Sequence, residues 1–419
     1  MADTKLTGLL DYPTPLAADL LYIVEAAGLT SKKVTIANLF ENIPESGGLT
    51  DTLVVGDGGT HLVHGIGDTA WYNTIVGFNS GIDITSGYSN VAVGTNALRL
   101  ATSALGNVAI GKDSMQSITT GQHNTGVGVH TLQTSQTSEY NTAVGANALL
   151  VATGSYNTAI GGQTLVNLTI GIHNTAIGYE AGFNMTAGQG NEAIGWGALT
   201  NTTIGIYNTA IGSAAMIANI DGNFNTAIGN ASLRLNVSGL YNIAVGPSAL
   251  NNNLASQNIG IGYQAGYSIT TGADNIAIGF QAHLWNLLGI NNTVIGNLAG
   301  SGAGSSYSGS VILGYGTGVA LTTGDNNTLI GTYAGNNLTT GGSNIIIGYG
   351  IAASAVNITH ELNIGNLIKG HLDAPLTLGF FGTAPAIQHA HIADAAGGTE
   401  VATINHILEV LESYGLLAL

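Results

Sequence analysis

Small, polar and apolar positions follow one another in a fixed short phrase along most of this chain. From Asn73 to Gly348 the sequence Asn-Thr-Ala-Ile-Gly, or a near copy, occurs seventeen times. Thirteen of the sixteen steps are 17 residues, two are 16 (into Asn157 and Asn258) and one is 18 (into Ser310). With the Asn as position 0, +4 is Gly in every copy, and +3 is Val or Ile in all but one, where Leu313 stands. Position +2 is Ala or Gly from Ala92 to Ala277, then Val294, Ile312, Leu329 and Ile346. A fixed period of this length marks stacked supersecondary units that bury their apolar faces against one another. Thr-Ala-Ile is a short β segment by composition, and Gly at +4 allows a corner at positive φ. The predicted fold is therefore all-β, a parallel β-roll or β-solenoid of about eighteen coils. That count includes degenerate copies at Leu53-Val54-Val55-Gly56 and Glu361-Leu362-Asn363-Ile364-Gly365. At ~4.8 Å per coil the rod is on the order of 85 Å long.

Strand alternation assigns the faces. It puts +1 and +3 on one side and 0 and +2 on the other. Taking the larger apolar residue as the buried one, the Ile at +3 is predicted to form a dry spine inside the solenoid. Alanine at +2 then faces outward and suits the close approach of a second chain, or fits a tight corner. The Asn at 0 is predicted to form an amide ladder along the stack.

Two non-repetitive zones flank the array. Residues 1–50 read as a small adaptor with strands at Asp19-Leu20-Leu21-Tyr22-Ile23-Val24 and Ser31-Lys32-Lys33-Val34-Thr35-Ile36, the second running into a short helix. Residues 51–365 form the shaft and residues 366–419 a cap. The cap holds a strand and turn at Thr377–Gly382 and an amphipathic helix near Glu400–Ser413. Val401, Ile404, Leu408 and Leu411 fall on one face of that helix. One short helix with a single apolar stripe is marginal alone, so three copies around an axis are predicted to bury it, as a homotrimerising cap.

Composition narrows the chemistry. Charged residues make up only 7% of 419, against about 25% in ordinary domains, which points to a surface covered by copies of the chain. Fourteen of the 23 carboxylates lie in residues 1–60 or 361–419. Seven basic residues are too few for a phosphate-binding stripe, so nucleic acid is not an expected partner. There is no cysteine, hence no disulfide or thiolate chemistry. No apolar run approaches the ~20 residues that cross a bilayer. The start, Met1-Ala2-Asp3-Thr4-Lys5, has no secretory pattern, and the chain is expected to be made in the cytoplasm without membrane insertion.

Candidate sites are few. A polysaccharide-cleaving enzyme needs paired carboxylates across a groove. Glu180 and Glu192 are the only acids in adjacent coil segments, and both read as exposed turns, so no catalytic residues are assigned. The histidines, including His389 and His391, have no metal-ligand spacing; neither metal nor cofactor is expected. Aromatic or His residues precede the Asn in eight coils, from Tyr72 to Tyr241, and a second set follows the Gly, including Tyr179, Trp196, Tyr263 and Phe280. Stacked ladders at the coil corners are the simpler reading. Tyr179 and Trp196, one repeat apart, are the candidate glycan-binding pair.

The Asn-Thr-Ala-Ile-Gly array, closed by Glu361-Leu362-Asn363-Ile364-Gly365-Asn366-Leu367-Ile368, resembles bacteriophage tail-fibre and related virion-fibre proteins. It is also similar to the β-roll heads of trimeric autotransporter adhesins, which are left-handed rolls with a Val-Ala-Ile-Gly core. The segments Asp19–Val24 and Ser31–Leu39 resemble virion-attachment ends, and Leu378–Pro385 followed by a helix resembles the close of many phage appendage proteins. The resemblance implies a homotrimeric, non-enzymatic virion fibre, assembled in the host bacterial cytoplasm. It would be held to a tail, baseplate or capsid protein through residues 19–24, with a host-surface glycan or protein at its distal end. A capsid-mounted head fibre or decoration spike, a fibre of a phage-tail-like injection system and a surface adhesin are the alternatives. Two departures from these families are expected: neither the autotransporters' export signal nor their membrane barrel is read in the sequence, and the self-cleaving chaperone that ends many phage fibres has either been processed away or is not used.

Overall fold

In the computed structural model, residues 72–373 are described without interruption. Strand segments at 20–24, 31–35, 53–55, 377–380 and 386–387 and helical positions at 409–411 and 413 complete the described residues. Each of the seventeen copies forms a three-residue strand at positions +1 to +3, from β4 (Thr74–Val76) to β20 (Ile345–Ile347). Successive strands are parallel and in register, as in Thr175↔Glu192, Ala176↔Ala193 and Ile177↔Ile194. The stack continues into β3 (Leu53–Val55) at one end and β21 (Glu361–Ile364) at the other. A second side of each coil is bonded to the next coil as well, for example Leu98 N to Ser114 O, Leu100 N to Gln116 O and Thr102 N to Thr119 O at 3.0–3.1 Å. With both sides bonded from coil to coil, the array is a parallel β-solenoid of about 17 turns with almost no helix.

The facing of the strands is the reverse of the expected one. Alanine at +2 is buried throughout, as at Ala92, Ala143, Ala193 and Ala227, whereas Ile110, Ile177 and Ile228 at +3 lie outside, 37–39% exposed. The cause is the Asn at position 0. Asn208 donates through Nδ2 to Gly222 O (2.7 Å) and to Asn191 Oδ1 (3.2 Å), and through its backbone N to the same Oδ1 (3.0 Å). Its own Oδ1 accepts from Asn225 N and Nδ2. A polar side chain satisfied this fully is held inside at little cost. Strand parity then takes +2 inward with it and turns +3 out. The amide ladder is as expected; the isoleucine spine is external.

The interior is completed from the second side, where +8 faces the strand's +2. Ten coils place Leu98, Met115, Leu132, Leu149, Leu165, Leu199, Met216, Leu233, Leu250 and His283 at +8, each at φ between 46° and 54°. The path of the chain demands a left-handed backbone here even of bulky residues. At +4 only glycine fits. A Cβ on Gly195 (φ +131°) would lie 2.6 Å from the backbone C and O of Gly212, one coil on.

At the N-terminal end, β1 (Leu20–Val24) pairs antiparallel with β2 (Ser31–Thr35), matching the two expected strands. Asp19 and the short helix after Thr35 lie outside the described residues. At the other end the parallel order stops. Glu361 takes the place of the Asn and its N donates to Asn344 Oδ1 (2.8 Å), closing the ladder. The chain then turns back through β22 (Ile368–His371), β23 (Thr377–Phe380) and β24 (Ala386–Ile387), all antiparallel. These strands lie against β21, so another coil cannot pair there. Val401, Ile404 and Leu408 of the expected trimerising stripe, like His389 and His391, lie outside the described residues. Leu411 is half-buried within the few helical positions that are described.

Candidate functional site

Because 0 and +2 point inward, the outer surface of each coil is built from −1, +1 and +3 on the strand side, +5 and +6 at the glycine corner, and +10 and +12 on the second side. Repetition turns each position into a column running along the rod.

The −1 column carries the aromatic ladders. His123, Tyr140, Tyr156 and His173 stack at ring-centroid steps of 5.0–5.2 Å, and Tyr207, Phe224 and Tyr241 at 5.2–5.4 Å. These are the corner stacks expected from the sequence, and the spacing is that of the coils themselves. Gly190 separates the two runs, and a Cβ there would come within 2.7 Å of the Tyr207 ring.

Tyr179 and Trp196 occupy +5 of consecutive coils, where Gly197 N donates to Tyr179 O (3.0 Å). Both are about half exposed. Tyr263 and Phe280 stack in this same column at 5.4 Å; no such stack joins Tyr179 to Trp196 among the described residues. The Glu180 carboxylate beside Tyr179 raises the pKa of its hydroxyl. Glu180 itself sits at +6 and Glu192 at +1 of the next coil, near opposite ends of the strand. Glu192 Oε2 accepts from the Thr209 hydroxyl (2.8 Å). At +6 a row of polar side chains runs from Asn96 Nδ2 to Asp113 Oδ1 (2.8 Å) and from Asp113 Oδ2 to His130 Nε2 (3.4 Å). Among the described residues no three His, Asp or Glu side chains are grouped so as to hold a metal ion, and no helix is long and apolar enough to cross a membrane.

Two features escaped the sequence reading. The first is a groove of about 820 Å³ on the second side, running over coils 141 to 225 between the +10 and +12 columns. Asn167, Asn184 and Asn201 line one wall and Thr169, Thr186 and Thr203 the other. Between them +11 turns inward, buried as Leu168, Met185 and Thr202, and leaves a trough. The signal was present as Asn-x-Thr recurring at +10 and +12 of three consecutive coils. The second is a buried polar cluster at the 18-residue coil. Tyr307 is fully buried, its hydroxyl donating to Gly300 O (2.9 Å), with the His283 ring tilted against it at 5.3 Å. Neither ring nitrogen of His283 has a hydrogen-bond partner, and burial pushes its pKa down to about 3.

A further outward feature is the strand side itself. Its +3 column is Ile or Val coil after coil, and Ile243, Ile259, Ile276, Val311 and Ile345 add apolar surface at +1. No protein-family model, no curated protein and no solved structure matches the chain.

Proposed function

We propose that this chain is a non-enzymatic structural fibre of a bacteriophage virion, a homotrimer that docks on the particle through its N-terminal segment and meets the host surface distally. The observation that supports this reading is the apolar strand face running along a stiff solenoid. Scattered apolar residues are ordinary on protein surfaces, but monomers rarely expose a contiguous strip beyond a few hundred Å². Here Ile110, Ile160, Ile177, Ile211, Ile228, Ile261 and Leu313 form one column, each 36–42% exposed. Sister chains laid alongside in register cover this strip with an identical one. The near absence of charge in the array removes the repulsion that would oppose them. A lateral bundle of solenoids is a rod, which transmits position and force.

Immunogold electron microscopy of purified virions from cells producing the chain tests the assignment. Label on a thin appendage of the particle is the expected result. Virions that carry no label, with the chain recovered wholly in another fraction, would overturn it.

A further inference from the structure

We infer that the groove between the +10 and +12 columns is a binding site for an extended, uncharged, β-linked polysaccharide, one sugar unit per coil. None of its lining residues is charged, which disfavours phosphorylated or acidic polymers and peptides that need ion pairs. Its hydrogen-bonding groups are sorted by wall. On the threonine wall each hydroxyl donates along the rod to the next coil's carbonyl: Thr169 to Thr186 O (2.9 Å), Thr186 to Thr203 O (3.2 Å) and Thr203 to Ile220 O (3.3 Å). With its one hydrogen used, a threonine oxygen meets a ligand only as an acceptor.

The opposite wall supplies donors. Asn167 Nδ2 spends both hydrogens, on Phe183 O (3.1 Å) and Asn184 Oδ1 (3.4 Å), whereas Asn184 Nδ2 reaches only Asn201 Oδ1 (3.1 Å). An amide carries two N–H groups, so this bond leaves Asn184 one to offer. The row ends at Asn201 because the next coil has Ala218 at +10, and Asn201 Nδ2 donates to no protein group among the described residues. A sugar hydroxyl both donates and accepts, so a polyol seated between an acceptor wall and a donor wall satisfies both. Beyond Asn201 the groove turns apolar at Ala218, Ile220 and Val237, the surface that the C–H face of a pyranose ring requires.

Spacing selects the polymer. The walls repeat at the coil rise of ~4.8 Å, about the advance of one β-1,4-linked hexose unit in an extended chain; successive units are turned over, so every second unit meets equivalent groups on the walls. A coiled α-linked chain loses register after the first contacts. The groove lies on the side of the coil away from the strand face, so lateral association of copies leaves it open. The fibre reading is used only to place this polymer on a host surface; the groove's chemistry stands without it.

Isothermal titration of the full-length protein with β-1,4-linked glucose and N-acetylglucosamine oligomers of two to six units, and with maltohexaose as the α-linked control, tests the inference. Affinity that rises with length for a β-linked series, exceeds that for maltohexaose, and falls about tenfold both in Asn184→Ala/Asn201→Ala and in the groove-filling Ala218→Trp is the expected result. Circular dichroism and native mass of the two variants should match the parent. No binding by either β-linked series, or binding that both variants leave unchanged, overturns the inference. Failure here with gold label on virions would remove the groove and keep the fibre; binding without label would do the opposite.

Discussion

The coils before residue 292 and those after it fill the same cross-section from opposite sides. In the earlier coils from residue 90 on the strand contributes a small residue and the second side a large one: Ala193 with Leu199, Ala210 with Met216, Ala227 with Leu233, all buried; the first coil, with Ile75 and Gly81, already has the later packing. In the later coils the strand contributes Ile312 or Leu329, and +8 becomes Gly318 or Gly335. A Cβ on either glycine would come 2.9 Å from a Leu329 methyl. What is kept in these pairs is one large and one small residue, and the left-handed backbone at +8. Glycine adopts that backbone freely. Leucine is strained there by ~1–2 kcal/mol, which burial of its side chain at ~1.5–3 kcal/mol offsets. Two earlier coils have glycine at +8 and a large buried residue at +11, Gly182 with Met185 and Gly266 with Ile269, while others fill both positions, as Leu165 with Leu168 and Met115 with Ile118. The two packings meet at the 18-residue coil, where Tyr307 enters the interior beside His283.

The comparison makes the amide ladder the element common to both regions, and the largest effects are expected there. Asn208→Ala leaves Asn225 N and Nδ2 without their shared acceptor and takes from Gly222 O the shorter of its two donors, Asn219 Nδ2 being the other, and should cost ~2–4 kcal/mol. Asn327→Ala, among the later coils, should cost about as much. Guanidinium unfolding of the two variants checks this, and a large loss at only one site would mean that the regions are held by different means.

The junction is next. His283 is kept neutral by burial, with its pKa lowered from 6.5 to about 3. The unfolded chain therefore takes up a proton that the folded one refuses. Its contribution to stability is constant above pH ~6.5 and falls as pH drops from there towards 3, by up to ~1.4 kcal/mol per pH unit. Between pH 7 and 4.5 the parent should lose ~2–3 kcal/mol more than His283→Leu, as read from melting curves at the two values. Equal acid sensitivity would show that the imidazole reaches water.

Converting one packing into the other is a milder test. Ala193→Ile overfills an earlier coil and should cost ~1–3 kcal/mol. Adding Leu199→Gly, which imitates the later coils, should recover part of the loss, and a double mutant worse than either single would refute volume exchange. The smallest effect belongs to the aromatic column, whose stacked runs lie wholly in the earlier region. Tyr140→Ala loses two stacked contacts, with His123 and Tyr156, and should cost ~1 kcal/mol in the same unfolding assay.

Much of this architecture was legible in the residues. The 17-residue period fixed coil number and strand position, Gly195 and its equivalents fixed the corner, and the Asn series fixed the ladder. The facing was not, because Asn191, Ala193 and Ile194 alternate in a way that two opposite parities satisfy. Hydrophobicity favoured Ile194 inside, and only the count of hydrogen bonds to the amide decides for Asn191. The left-handed leucines were hidden for a related reason, since φ near +50° is not expected of Leu98 or Leu199 on local grounds. The expected ladders at −1 were found, but Tyr179 and Trp196 remain separate rings in one column. The groove went unread because Asn184 and Thr186 look like ordinary turn residues until neighbouring coils align them.

The account depends most on the outward isoleucine column being covered by other copies of the chain. Native mass spectrometry of the full-length protein at micromolar concentration tests this most directly. A single species of three chains, reduced to one chain when Ile177 and Ile211 are both changed to Lys, is the predicted result. A parent protein that runs as one chain at that concentration would contradict it.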